Sequence, residues 1–504
     1  MAERALMMPL GLRADPYAAP KVGDSRPPTN VFGSLAARSL AAVGAGGLLL
    51  ANHVNSLPLI LLIVVAVVAT DIRHPLSLKN VLLVYVIMVF GVGGAVLHLT
   101  TQPIYRDVVA YTVAFLGGYT LASMSTARRH HHPERQPAGK GPLNLFALEH
   151  ALVVLLGLNL LFVGYQFAKY GVAGYYQGQG LLNQALTYGQ ASSTGGLEQI
   201  VRFALTDGGI ALAILYVKAC FDSSTHIRYR YPALLFIGLP VLSLSRSTAV
   251  NGALIVLAIY ACDRRLSARR TSAAGPLPDA VMSAPTAAAA RDAPVRVSRM
   301  AMILLGLVLA VATAAFVGSI RSGFVNKSGT VGSKPGFVTM LSSELSPVQA
   351  YGDITANIDV LGHTHGRTIV FALLLKVVPR AWYPNKPLNS GAYYMSIVRP
   401  AEWAAGYALP PTYWGDLYIS FGYAGAVLGS IVLGVAAARI DRAYRDAILH
   451  RVPWFLLIFA NFYAVLRDSL SESLAGILLT LLVWAVANRV FRPDEPVYLS
   501  PATA

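Results

Sequence analysis

Residues 379–387 read PRAWYPNKP, which sets Arg380 and Lys386 beside two aromatic rings on a segment braced by prolines. An arginine offers a planar fork that matches phosphate bidentately, and a lysine adds a compact charge. Three more arginines share this character. Arg367 lies in GRTIV, Arg246 in SLSRSTA between two apolar runs, and Arg467 in AVLRDSLSES at the end of another. An arginine between two spans is costly and is a functional candidate by default. Plainer roles exist for each. Arg246 could cap a tight turn, Arg467 could pair with Asp468, and any of them could meet phospholipid headgroups or snorkel from a helix end. The sharper chemistry is a pyrophosphate site. A lipid pyrophosphate that departs in a reaction gains negative charge, which preorganised cations stabilise.

The elements that must position these cations are helices in a membrane. Of 504 residues, 55% are hydrophobic and only 13% charged, and the mean hydropathy is +0.54. Soluble domains average about 25% charged residues. Long unbroken apolar runs indicate helices and exclude a barrel of alternating ten-residue strands. The pattern predicts an all-α polytopic integral membrane protein with about 12 transmembrane helices. These fall near residues 34–52, 56–71, 80–98, 107–124, 147–167, 199–220, 231–244, 247–262, 300–319, 412–438, 452–466 and 473–490. Residues 1–33 have no apolar core beside a cleavage site and read as a retained tail. Residues 491–504 form a second tail.

The formal charge of +16 would suggest nucleic acid in a soluble protein. Here the basic residues concentrate in the tails and in alternate loops, as the positive-inside rule requires of cytoplasmic segments. Both termini are therefore expected in the cytoplasm of a bacterial inner membrane, with no nucleic-acid partner. The linker 263–299 is cytoplasmic and rich in Ala and Pro over 272–295, a disordered composition. His130, His131 and His132 sit in a basic loop with few carboxylates nearby, which reads as solvated rather than metal-binding. Cys220 and Cys262 give no disulfide framework or metal set.

One long segment, 320–411, is expected outside, in the periplasm. It holds Arg321, Lys327, Lys334, Arg367, Lys376, Arg380, Lys386 and Arg399 against Glu344, Asp353, Asp359 and Glu402. Within it TIVFALLLKVV (368–378) is apolar but too short to span, so a re-entrant or interfacial helix is expected. PRAWYPNKP follows directly, at the depth where Trp382 and Tyr383 suit the membrane–water boundary.

Three blocks in order carry a resemblance: GRTIV (366–370), VVPRAWYPNKP (377–387) and YWGDLYISFGYAGAVLGSIVLG (413–434). In order and spacing they resemble the Wzy-type O-antigen and oligosaccharide repeat-unit polymerases. The N-terminal half is similar only in hydropathy and topology. The resemblance implies a fold similar to the GT-C glycosyltransferases. It also implies transfer of a growing glycan from undecaprenyl pyrophosphate onto a lipid-linked repeat unit at the periplasmic face. It implies no cofactor, no metal and no nucleotide sugar, and a chain-length regulator as an accessory partner. One position departs from the pattern. Where the third block has Glu in the family, this chain has Asp416, a carboxylate one methylene shorter.

Such a reaction needs a base for the acceptor hydroxyl and cations for the leaving pyrophosphate. For the base the resemblance points to Asp416, expected to open the tenth span at the outer face, with His363 and His365 as competitors. A helix-capping role is the plain alternative for Asp416. The pyrophosphate set is Arg246, Arg367, Arg380, Lys386 and Arg467. Arg321 joins it through a loose match to an "R, ten residues, G" motif ending at Gly332. Aromatic and amide groups that could pack on sugar rings or bond their hydroxyls are Tyr175, Tyr176, Gln177, Tyr394 and Trp414, although the interfacial aromatic belt accounts for such residues too. Two rival functions remain open. An O-antigen ligase of the same fold would suit the outer histidines, and a transporter or flippase of an anionic lipid-linked sugar would suit the cations.

Overall fold

The computed structural model describes residues 57–97, 104–127, 143–188, 195–222, 255–266, 346–404, 409–446 and 451–491, with short gaps at 72–73, 75, 376–377, 379–382 and 384. Among these residues the regular structure is entirely helical. That is the form a lipid-embedded backbone must take, because each N–H and C=O is satisfied within its own segment. Helix α1 is Leu57–Ala69. Helix α2 starts at Leu78–Tyr85, widens into a π-helical stretch at Val86–Val92 and closes at Gly93–Val96. Next come α3 (Ile104–Ala127), α4 (Leu145–Tyr188) and α5 (Gly195–Asp222). Residues 255–266 are also helical.

Short helices follow, among them α6 (Pro347–Ala356), α7 (Ile358–Leu361), α8 (Ser390–Val398) and α9 (Pro400–Ala404). The chain closes with α10 (Thr412–Arg445), α11 (Val452–Arg467) and α12 (Leu470–Val490).

Among the described residues four helices are long and apolar enough to cross a membrane, namely those containing Ile104–Ser125, Leu145–Lys169, Thr412–Arg445 and Leu470–Val490. Leu78–Val92, Gly208–Phe221 and Val452–Arg467 are shorter apolar helices. The expected spans at 34–52, 231–244 and 300–319 lie outside the described residues. Two expected spans differ in form. The helix expected at 147–167 runs on to Tyr188, 44 residues in all. That is about 66 Å, twice the ~30 Å hydrocarbon core. The span expected at 412–438 is two helices in series, because Gly422 interrupts α10 with φ 70° and ψ −167°. A backbone of that kind is available to glycine and strained for anything else.

Helices α3 and α10 form the closest pair. A methyl group added at Gly118 would strike the carbonyl of Ile431, and one at Gly434 would strike the carbonyl of Phe115. Their backbones touch because neither carries a side chain there, the usual device where lipid removes any hydrophobic drive between helices. Two buried carboxylates fasten α10 to other helices. At its C-terminal end Asp441 accepts from the backbone N–H groups of Leu78 (2.7 Å) and Lys79 (3.2 Å) and from the Tyr119 hydroxyl (3.0 Å). It thereby caps the start of α2, where the helix dipole favours negative charge. At the other end stands Asp416.

The short helices sit at the Asp416 end and share a small core of Ala350, Ile354, Leu361, Tyr394, Met395 and Ile419. Tyr351 joins this layer to the long helices, its hydroxyl donating to that of Tyr111 at 3.1 Å. The segment expected to be a short interfacial helix is helical over Arg367–Phe371 and Ala372–Leu374. Its outward residues Val370, Phe371 and Leu374 are exposed and apolar.

Candidate functional site

The first piece of α10 carries Asp416 into the protein. The carboxylate is fully buried. It accepts from the Ser390 hydroxyl, from the Ser469 hydroxyl at 3.2 Å and from the Leu470 backbone N–H at 2.5 Å. Leu470 is the first residue of α12, so Asp416 caps a helix that begins 54 positions later. Hydroxyls extend this centre. Ser390 Oγ lies 2.9 Å from Thr368 Oγ1, which is 3.0 Å from Thr364 Oγ1 and 3.4 Å from Ser420 Oγ. Asn389 caps its own helix by accepting from the Ala392 N–H at 2.8 Å, and its amide donates to Glu472 at 2.8 Å.

Asp416 stands near the start of the expected tenth span, and the structure encloses it. Asp416 has no exposed surface, and its oxygens are engaged by the starts of α8 and α12. The capping role holds in an altered form, since the capped helix is α12 and not α10.

The exposed rim of this centre is the turn before the interfacial helix. His363, His365 and Arg367 are all exposed. Three residues of the turn have positive φ: Gly362 (66°), His365 (48°) and Gly366 (79°). A non-glycine residue there is uncommon and carries strain, and such residues gather at functional sites. The turn is seated on the break in α10. The Thr364 N–H donates to the Ile419 carbonyl at 3.0 Å. The His363 ring lies against Gly422, 3.3 Å from where a Cβ would stand, and the Phe421 ring lies against Gly366. Thus GRTIV and the Phe-Gly pair of the third block meet directly.

The remaining candidates divide. Lys386 is half-buried and its ammonium donates to the Val378 carbonyl at 3.2 Å. Arg467 ends α11, two residues before Ser469. Arg246, Arg321 and Arg380 lie outside the described residues. Tyr394 is fully buried within the small core. Trp414 is 2% exposed, packs on Phe90 and Tyr111, and donates from Nε1 to Ser430 Oγ at 3.0 Å. Both rings, expected as sugar contacts, are packed inside the described structure. Tyr175, Tyr176 and Gln177 fall on the extension of α4. Arg399, counted above among the outer cations, is neutralised locally. It donates to Asp353 at 2.7 Å and to Glu402 at 2.6 Å, and the Asp353 bond leads in holding its guanidinium above the usual range.

Sequence reasoning passed over Ser390, Ser469, Thr368, Ser420 and Glu472. One signal was present: DSLSES ahead of an apolar run is a helix-start signature. Nothing comparable marks Ser390 or Ser420. Among the described residues no three His, Cys, Asp or Glu side chains gather as metal ligands.

Fold and site together describe a helical, membrane-embedded chain with a hydroxyl-lined buried carboxylate under a rim of two histidines and an arginine. The chain matches no protein-family model, no curated protein and no solved structure.

Proposed function

We propose that this chain is a membrane glycosyltransferase that polymerises lipid-linked oligosaccharide repeat units, taking the growing glycan from undecaprenyl pyrophosphate. One observation carries the reading. GRTIV and the Asp416–Gly422 stretch are remote in sequence, yet Thr368 meets Ser420, and Thr368 and Asp416 both meet Ser390. The first and third blocks of the polymerase-like pattern thus meet at a single centre, joined there by a serine three residues past the second block.

In this mechanism the acceptor hydroxyl oxygen attacks the anomeric carbon of the donor glycan. The bond from that carbon to the pyrophosphate oxygen breaks, and the electron pair leaves with the lipid pyrophosphate. Arg367 and Lys386, with Arg380, Arg246 and Arg467, meet the charge that develops on it. His365 or His363 takes the acceptor proton, imidazole being the commonest general base. Asp416 is a positioning group that fixes the floor beneath the rim. Glycan donor and acceptor arrive from the periplasmic leaflet, and both termini remain in the cytoplasm.

The test is deletion of the gene in the native host, followed by profiling of surface glycan and lipid-linked intermediates. The expected result is accumulation of single repeat units. The wild-type gene should restore polymer, whereas Arg367→Ala or His365→Ala at equal expression should not. Long polymer stranded on its lipid would make the chain a ligase, a role the exposed histidines would also fit. Unchanged pools would overturn the glycan reading in favour of a transporter.

A further inference from the structure

The opposite end of the bundle carries a second cationic feature that the glycan reading does not use. A pocket of about 520 Å³ opens there between α1, α2, α3 and α10. Lys79 and Arg445 flank the ring of Tyr119, each 5.7 Å from its centroid. The Lys79 ammonium is steadied by the carbonyl of Ala69, the last residue of α1, at 2.8 Å. The rest of the wall includes Leu116, Thr120, Ser123 and Met124 of α3. Met124 is exposed, as is neighbouring Leu121, and the Thr120 hydroxyl is turned back onto its own helix at 2.7 Å from the Leu116 carbonyl. The wall is thus partly apolar, and Thr120 and Met124 face what surrounds the bundle.

The nearby carboxylates have hydrogen-bond partners of their own. Asp441 is held by two backbone N–H groups and the Tyr119 hydroxyl. Asp71 is bound by His74 at 2.9 Å and Asp446 by Arg442 at 3.3 Å. Two cations over a partly apolar wall at the end of membrane-crossing helices match a phospholipid in cross-section, with phosphate above and acyl chain below. Basic pockets between spanning helices take anionic headgroups by this arrangement.

We propose that this pocket is a binding site for an anionic phospholipid, its phosphate held between Lys79 and Arg445 and one acyl chain laid along Leu116 and Met124. The site stands apart from the candidate glycan site and does not depend on that reading.

The full-length protein, reconstituted into nanodiscs of phosphatidylcholine with a minor fraction of phosphatidylglycerol, provides the test. Lipids that survive release are counted by native mass spectrometry. Wild type should retain phosphatidylglycerol above its share of the bilayer. Lys79→Gln combined with Arg445→Gln should weaken retention about fivefold per cation removed. Arg489→Gln, an exposed cation at the end of α12, should leave it unchanged. Thr120→Trp fills the pocket without touching a cation and should lower retention as well, which keeps the test valid if the double variant folds poorly. Equal loss in Arg489→Gln, or full retention in Thr120→Trp, would reduce the effect to general surface charge and overturn the proposal. Displacement of the lipid by inorganic phosphate would overturn it too, by identifying a site for free anion.

Discussion

Replacing Asp416 separates a carboxylate that holds the site together from one that performs chemistry. In Asp416→Ala three donors lose their acceptor: the Ser390 and Ser469 hydroxyls and the Leu470 N–H. The hydroxyls have substitutes close by, Thr368 Oγ1 at 2.9 Å for Ser390 and Ser471 Oγ at 3.2 Å for Ser469. The Leu470 N–H, at a helix start, has none of comparable charge. A lost cap costs about 0.5–2 kcal/mol, and a buried donor left unsatisfied about 1–3 kcal/mol. Loss of stability should therefore be roughly 2–4 kcal/mol. Asp416→Asn keeps the volume and one acceptor oxygen but turns an NH2 group towards a donor, so roughly half that loss is expected. Ser390→Ala should couple to it by about 0.5–3 kcal/mol in a double-mutant cycle. The assay is denaturant unfolding in mixed micelles, run beside polymer formation in cells at matched protein level. If Asp416→Asn unfolds like wild type yet makes no polymer, the positioning role is wrong and the carboxylate acts on the proton itself.

Other substitutions test the frame. Gly434→Ala and Gly118→Ala should each lower stability by about 2 kcal/mol or more through forced separation of α3 and α10, whereas Gly117→Ala, with open space around it, should be neutral or slightly stabilising by helix propensity; thermal unfolding in detergent decides. Gly422→Ala forces a β-carbon into a backbone of φ 70° and within 3.3 Å of the His363 ring, so a loss of about 1–3 kcal/mol together with reduced polymer is expected in the same assays. Arg399→Ala leaves Asp353 and Glu402 unpaired in a partly solvated cluster, and should cost only about 1–2 kcal/mol with polymer formation retained.

The long helices were legible because their signal is local. Uninterrupted apolar residues announced α3, α11 and α12 to within three residues. Of the helices between 347 and 404 only the one at 367–374 was expected; the others are short and owe their form to distant partners such as Tyr351 on Tyr111. Gly422 looked like one more small residue in an apolar run, and nothing in the sequence distinguished a break there from a tolerated helical glycine. The site was legible in part for a related reason. Asp416 could be singled out by type and position, but its burial depends on Ser390 and Leu470, which lie 26 and 54 positions away. Tyr394 and Trp414 show the same limit, because aromatic type alone does not distinguish a core ring from an exposed one.

Helix α10 carries an anchor at each end, Asp416 on the start of α12 and Asp441 on the start of α2. Twenty-five positions separate them, and the last nineteen, from Gly422 to Asp441, run as about 28 Å of unbroken helix. A single residue inserted or deleted between Gly422 and Asp441 would move one anchor by 1.5 Å and swing it about 100° around the axis relative to the other. Only one of the two helix starts could then be met. The stretch therefore acts as a gauge of fixed length. Its side chains are free to drift wherever they face lipid, but its residue count is not, and any diverged copy of this chain should preserve that count even where it preserves little else.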